Sequence, residues 1–145
     1  MDRSARQVRD SAHRRYPKAV IHALDNEYTV PELGLWDKAY SQFIFQMKIV
    51  GLGSWLANKL DCDKWAWLFK AYITVRNALS RRKNALPVGI LCYYVNADKS
   101  KPHCINTVMA IKGEGTQITE IEPQPRNGLG GLTKAERDTA WLVIF

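Results

Sequence analysis

Asp61-Cys62-Asp63-Lys64-Trp65-Ala66-Trp67 sets a cysteine at the head of an amphipathic segment. Asp61 is a good N-cap residue, which places Cys62 in the first helical turn. From there Trp65, Phe69, Tyr72, Val75 and Leu79 recur at helical spacing, with Ala66 and Leu68 widening the stripe. That pattern predicts a long helix ending near residue 80. A thiol is nucleophilic only as thiolate, and a helix N-terminus or a neighbouring imidazolium favours that form. Asp61 and Asp63 oppose it, so a reactive Cys62 needs a cation close by. The plain alternative is a cysteine buried for packing. Two flanking carboxylates argue against so apolar a site.

Upstream of this segment the chain reads as helical. Residues 3–15 carry a weak apolar stripe of Val8 and Ala12, and Pro17 ends or redirects it. Residues 18–34 read as irregular, with a short helix at their start. Trp36, Tyr40, Phe43, Met47 and Val50 predict a helix over 35–50, stopped by Gly51 and Gly53. Ser54-Trp55-Leu56-Ala57 reads as a helical turn leading to Cys62.

Downstream the period changes from helix to strand. Val88–Val95 predicts a buried strand, and Cys92 within it reads as core. His103–Ile111 and Gln117–Glu122 predict a hairpin turning at Lys112-Gly113-Glu114-Gly115. Pro123–Gly131 is a Pro/Gly-rich loop, Thr133-Lys134-Ala135-Glu136 a capping box, and Thr139–Phe145 a closing buried strand. Helices first and an antiparallel sheet after give an α+β class: N-terminal helices, a long central helix carrying Cys62, then a small antiparallel sheet.

The hairpin places His103 at the start of one arm and Glu122 at the end of the other, diagonally across. Glu120 and Glu122 share a face because strand side chains alternate, so Glu120 is a rival for the same role. A carboxylate beside an imidazole fixes its tautomer and stabilises the imidazolium. The order thiol, imidazole, carboxylate is that of a thiol nucleophile with base and orienting group. Cys104 follows His103 and points to the opposite sheet face.

The motifs Asp61-Cys62-Asp63-x-Trp65-Ala66, His103-x-x-Asn106 and Ile121-Glu122-Pro123-Gln124 resemble those of papain-like cysteine peptidases, among them phage proteins and the C-terminal cysteine-protease domain of fungal agglutinins. The resemblance implies a papain-like fold and a hydrolase of amide or isopeptide bonds working through a thioester. It implies Cys62 as nucleophile, His103 as base and Glu122 as orienting group, with Glu120, Gln124, Asn106, Asp61 and Asp63 in support. A catalytically silent phage structural or host-interaction protein is the alternative, and a peptidoglycan amidase or a nucleic-acid-binding protein stands behind it. No cofactor is expected. Calcium, with Asp61 and Asp63 as ligands, is implied by the resemblance alone.

Composition bounds the rest. The chain has 145 residues, 46% of them hydrophobic, with five Trp and six Tyr, enough for one packed domain. No apolar run approaches a membrane span, and the Arg-rich start is not a secretory signal. Host cytoplasm or a virion is the expected location, and no membrane partner is expected. Three cysteines without a CxxC pair suggest neither a disulfide framework nor a zinc ribbon. Of the net charge of +7, residues 1–18 hold +4, which marks them as a basic helix or arm before a single domain over 19–145. Such a run suits nucleic acid or an acidic partner, or simply a solvated helix face. The other expected partners are a peptide or protein substrate and a virion or host protein.

Overall fold

The computed structural model describes residues 1–52, 61–124 and 128–145. The expected turn at Ser54–Ala57 lies outside the described residues. The chain runs β1 (Asp2–Ser4), α1 (Ala5–Arg15), β2 (Val20–His22), β3 (Glu27–Thr29), α2 (Leu33–Ile49), α3 (Cys62–Leu79), β4 (Val88–Tyr94), β5 (Pro102–Lys112), β6 (Gly115–Glu122), β7 (Gly128–Gly130), α4 (Lys134–Arg137) and β8 (Leu142–Ile144). A six-stranded sheet has the order β2-β8-β4-β5-β6-β7, and β1 pairs with β3 in a separate two-stranded sheet.

The expected arrangement needs correction in two places. The N-terminal part is not helical throughout: β1, β2 and β3 interrupt it. The large sheet is mixed rather than antiparallel, because β2 runs parallel to β8, with Ile21 opposite Val143. Three-residue strands are too short to show a period, and a pairing between residues some 120 positions apart leaves no local trace.

Both faces of the sheet are covered. Alternation along β5 sends Ile105 and Met109 into a cluster with Val8, Ala12 and Tyr16 of α1 and with Leu91, Val143 and Phe145. It sends Val108 and Ala110 into a second cluster with Trp36 and Phe43 of α2 and Trp65, Phe69 and Ile73 of α3. A strand covered on both sides buries residues of both alternations, and Ile105–Ala110 are all buried, the polar Asn106 and Thr107 included. Phe43 is the hinge of the second cluster. Its ring meets Trp65 edge-on at 5.8 Å and Phe69 at 5.2 Å, contacts that add about 0.5–1.5 kcal/mol each beyond the area they bury. The Trp36 indole N–H donates to Met109 O at 3.0 Å, so this buried ring leaves no polar atom unpaired.

The helix ends follow their sequences. Ser4 and Thr133 each cap their helix and form a full capping box with Gln7 and Glu136. Asp61 occupies the N-cap of α3 but makes no side-chain cap bond. Its carboxylate faces Lys64 instead, with both oxygens 3.0 Å from Nζ.

Two carboxylates expected together are separated by their neighbours. Glu120, 1% exposed, belongs to α1. Arg15 Nε and Nη2 donate to its two oxygens at 2.7 and 2.8 Å, and the Tyr16 hydroxyl donates to Oε1 at 2.6 Å. This set ties the last turn of α1 to β6.

Candidate functional site

The start of α3 lies at the ends of β5 and β6. The hairpin register runs from Lys112 opposite Gly115 to Asn106 opposite Ile121. Continued one step, it sets 105 opposite Glu122, so His103 lies two residues beyond that pair. Both side chains stand on the same face, and His103 Nε2 and Glu122 Oε2 are 2.7 Å apart. The second oxygen of Glu122 accepts the Gln124 backbone N–H at 3.1 Å. A carboxylate held at both oxygens cannot turn away from the ring. Nε2 being taken, Nδ1 is the nitrogen left for the thiol. The Tyr93 ring meets the imidazole edge-on at 5.7 Å and 77°, which fixes its plane.

Cys62 is partly exposed and is the one cysteine outside a disulfide. A hydrogen bond with the His103 side chain holds its thiol below the usual range, against burial, which pushes it up; the Cys104 backbone N–H adds to the lowering. For His103, burial works downward, and the hydrogen bonds with Cys62 and Glu122 outweigh it and raise the ring to about 9. The two shifts describe one pair: each partner favours the charged form of the other. The group beside the thiol that favours its charged form is therefore His103. The neighbouring carboxylates are moderated too. Asp61 is lowered by its hydrogen bond with Asp63 and by Lys64, and the bond between the two carboxyls, with burial, raises Asp63.

Of the other expected residues, Asp61 and Asp63 flank the thiol in sequence, and Gln124 lies at the site through its backbone. Its carbonyl also accepts from the Tyr40 hydroxyl at 3.2 Å. Asn106 is buried on the other sheet face, where its amide donates to Ala66 O at 3.0 Å and Gly89 O at 3.1 Å. It fastens α3 to the sheet. Glu120 is engaged by Arg15 and Tyr16, and Glu122 alone reaches His103. Tyr93 escaped the sequence reading because its place opposite His103 depends on the β4–β5 register. Among the described residues no three His, Cys, Asp or Glu side chains gather as a metal site, and Asp61 and Asp63 have no third partner.

The cysteines correct a second expectation. Cys92 and Cys104 are Cα partners on β4 and β5 and form a disulfide, with Cα atoms 4.3 Å apart. Their spacing of twelve matches no motif, because it reflects the register of two strands. No helix among the described residues is long and apolar enough to cross a membrane.

No family model and no curated protein matches the chain. Its fold is shared with solved structures. One is described as a PSL1a–E64 complex, with TM-score 0.73 and 21% identity over 99% of this chain and 51% of the other. Another is Polyporus squamosus lectin bound to the human-type influenza-binding epitope Neu5Acα2-6Galβ1-4GlcNAc, with TM-score 0.73 and 22% identity over 99% of this chain and 49% of the other. The chain thus spans about half the length of these structures, and at this identity the likeness shows the fold. It corrects the place given to the chain among papain-like peptidases: the fold is one found in a lectin. The papain-like class, the amide or isopeptide hydrolase, the phage structural protein, the peptidoglycan amidase and the nucleic-acid binder are set aside with it. Motifs of a few residues describe local chemistry, which more than one fold can carry.

Proposed function

We propose that Cys62, His103 and Glu122 form a nucleophilic thiol centre. Cys62 is the thiolate, His103 the imidazolium beside it, and Glu122 the carboxylate that orients the ring. The observation that carries this reading is the 2.7 Å contact between His103 and Glu122, at a ring that is the largest influence holding the Cys62 thiol below its usual range. What is proposed is the thiolate, not the hydrolysis of any bond. Iodoacetamide tests it: the Cys62 sulfur forms a bond to the methylene carbon as iodide leaves. Without reductant a single adduct should form, at Cys62, and its rate should still be substantial at pH 6. A rate that rises only near the ordinary thiol range, about pH 8.5, would remove the thiolate–imidazolium pair from consideration.

A second reading concerns partners. The fold shared with Polyporus squamosus lectin over 99% of this chain supports glycan binding. Titration with Neu5Acα2-6Galβ1-4GlcNAc, followed by calorimetry, tests it. Saturable binding is the expected result, and a flat titration with this glycan and with its separate sugars would count against it.

A further inference from the structure

The run Glu122-Pro123-Gln124 at the end of β6 holds the carboxylate of the thiol centre in a way its sequence explains. A residue before proline is biased to extended backbone, so Glu122 keeps the line of its strand. Pro123 is buried and has no N–H to offer. The first backbone donor after Glu122 is therefore the Gln124 N–H, and Glu122 Oε1 accepts it at 3.1 Å. The other oxygen, Oε2, faces His103 Nε2 at 2.7 Å. The direction of the carboxylate thus depends on where Gln124 is held.

Gln124 is held from α2. The Tyr40 hydroxyl, 84 positions away in the chain, donates to Gln124 O at 3.2 Å. Tyr40 follows Trp36 by one turn on the same helix face, and both rings belong to the cluster between α2, α3 and the sheet. Each presents its polar tip to a backbone carbonyl. Trp36 reaches Met109 O at 3.0 Å, within β5, and Tyr40 reaches Gln124 O, beyond the end of β6. Met109 stands six residues along β5 from His103, roughly 20 Å at strand rise, so the Trp36 bond is remote from the imidazole. The Tyr40 bond is joined to the imidazole through Gln124 and Glu122 alone.

We propose that Tyr40 is a positioning residue of the thiol centre: its hydroxyl fixes Gln124, the Gln124 N–H fixes Glu122, and the carboxylate so held keeps the His103 ring turned to Cys62. The inference rests on the thiol-centre reading and adds to it a residue from a separate helix. A reactive constellation keeps its geometry only when the groups behind it are themselves held by packing and hydrogen bonds. Tyr40 is half-buried with its ring against the core, so it supplies both.

The test is the rate at which iodoacetamide alkylates Cys62, followed against pH without reductant, in wild type, Tyr40→Phe, Trp36→Phe, Glu122→Ala and the double variant Tyr40→Phe with Glu122→Ala. Tyr40→Phe removes the hydroxyl and keeps the ring and its packing. It should slow alkylation at pH 6 by about threefold and move the profile to higher pH. At alkaline pH, where the thiol is ionised in both proteins, the two rates should converge. Trp36→Phe removes the other hydrogen bond of the same helix face and should leave the profile in place. In the Glu122→Ala background the loss of the Tyr40 hydroxyl should change nothing further, because the group it acts through is gone. If wild type is reactive at pH 6 and Tyr40→Phe matches it, the role of Tyr40 is wrong and the thiol centre stands. If wild type titrates as a free thiol, both fail. A shift in Trp36→Phe as large as that in Tyr40→Phe would show a general loosening of α2. A full Tyr40 effect without Glu122 would show a path that avoids the carboxylate. Either result overturns the inference.

Discussion

Arg15→Ala is expected to lower the free energy of unfolding by about 3 kcal/mol, the cost of leaving a buried carboxylate without its partner. Glu120 is 1% exposed, and its three short bonds come from Arg15, the last residue of α1, and from Tyr16 at its C-cap. The arrangement raises the Arg15 guanidinium, first through its hydrogen bonds to Glu120 and against its burial. Burial raises the Tyr16 hydroxyl, and the neighbouring Glu120 charge raises it further, so this phenol stays a donor. With Arg15 gone, Tyr16 alone faces the carboxylate. Urea unfolding would show the loss as a lower midpoint at unchanged slope. The double variant Arg15→Met with Glu120→Leu should recover most of it, because the net value of a buried pair is far less than the cost of breaking it. A loss below about 1 kcal/mol for Arg15→Ala would mean that the carboxylate finds water or another donor.

His103→Ala is expected to slow alkylation of Cys62 at pH 6 by on the order of tenfold or more. Removing the ring removes the largest influence that holds the thiol down, and burial and Asp63 then push it up. The rate profile should move toward that of a free thiol. Glu122→Gln should give a smaller shift in the same direction, since it leaves the ring but weakens its positive charge. The stability of the pair has its own pH window. His103 is raised from 6.5 to about 9, so its contribution is complete below pH 6.5 and is lost as pH climbs through 9. Cys62 is lowered, so its contribution is present at alkaline pH and is lost as pH falls through its folded value. Stability in His103→Ala should therefore depend less on pH across this range than in wild type. Equal alkylation rates at pH 6 for His103→Ala and wild type would show that the imidazole does not set the thiolate.

The elements with enough residues to show a period were legible. α2 and α3 announce themselves through Trp36, Phe43, Trp65 and Phe69, and the β5–β6 hairpin through its turn at Gly113 (φ 57°). The juxtaposition of His103 and Glu122 was legible as well, because both sit on one hairpin and alternation fixes their face. That α3 would bring Cys62 to them was not, since nothing local encodes the packing of a helix on a sheet. The choice between Glu120 and Glu122 also depended on a distant residue, Arg15, which claims the first. The Cys92–Cys104 pair and the parallel β2–β8 ladder are consequences of register and closure, invisible in spacing. Identifying the fold from three motifs failed for a related reason. A thiol, an imidazole and a carboxylate prescribe a distance between side chains, and many backbones can meet it.

The six-stranded sheet has a further consequence at its margins. Its two outermost strands, Val20–His22 and Gly128–Gly130, are three residues each, while the interior strand Pro102–Lys112 has eleven. At the second of these rims the short strand pairs only with Glu120–Glu122 of the eight-residue strand Gly115–Glu122, so the edge of Gly115–Thr119 has no ladder partner among the described residues. An incoming chain would find its template there rather than on the outermost strand, which makes that stretch the place to put a charge if strand addition is to be blocked.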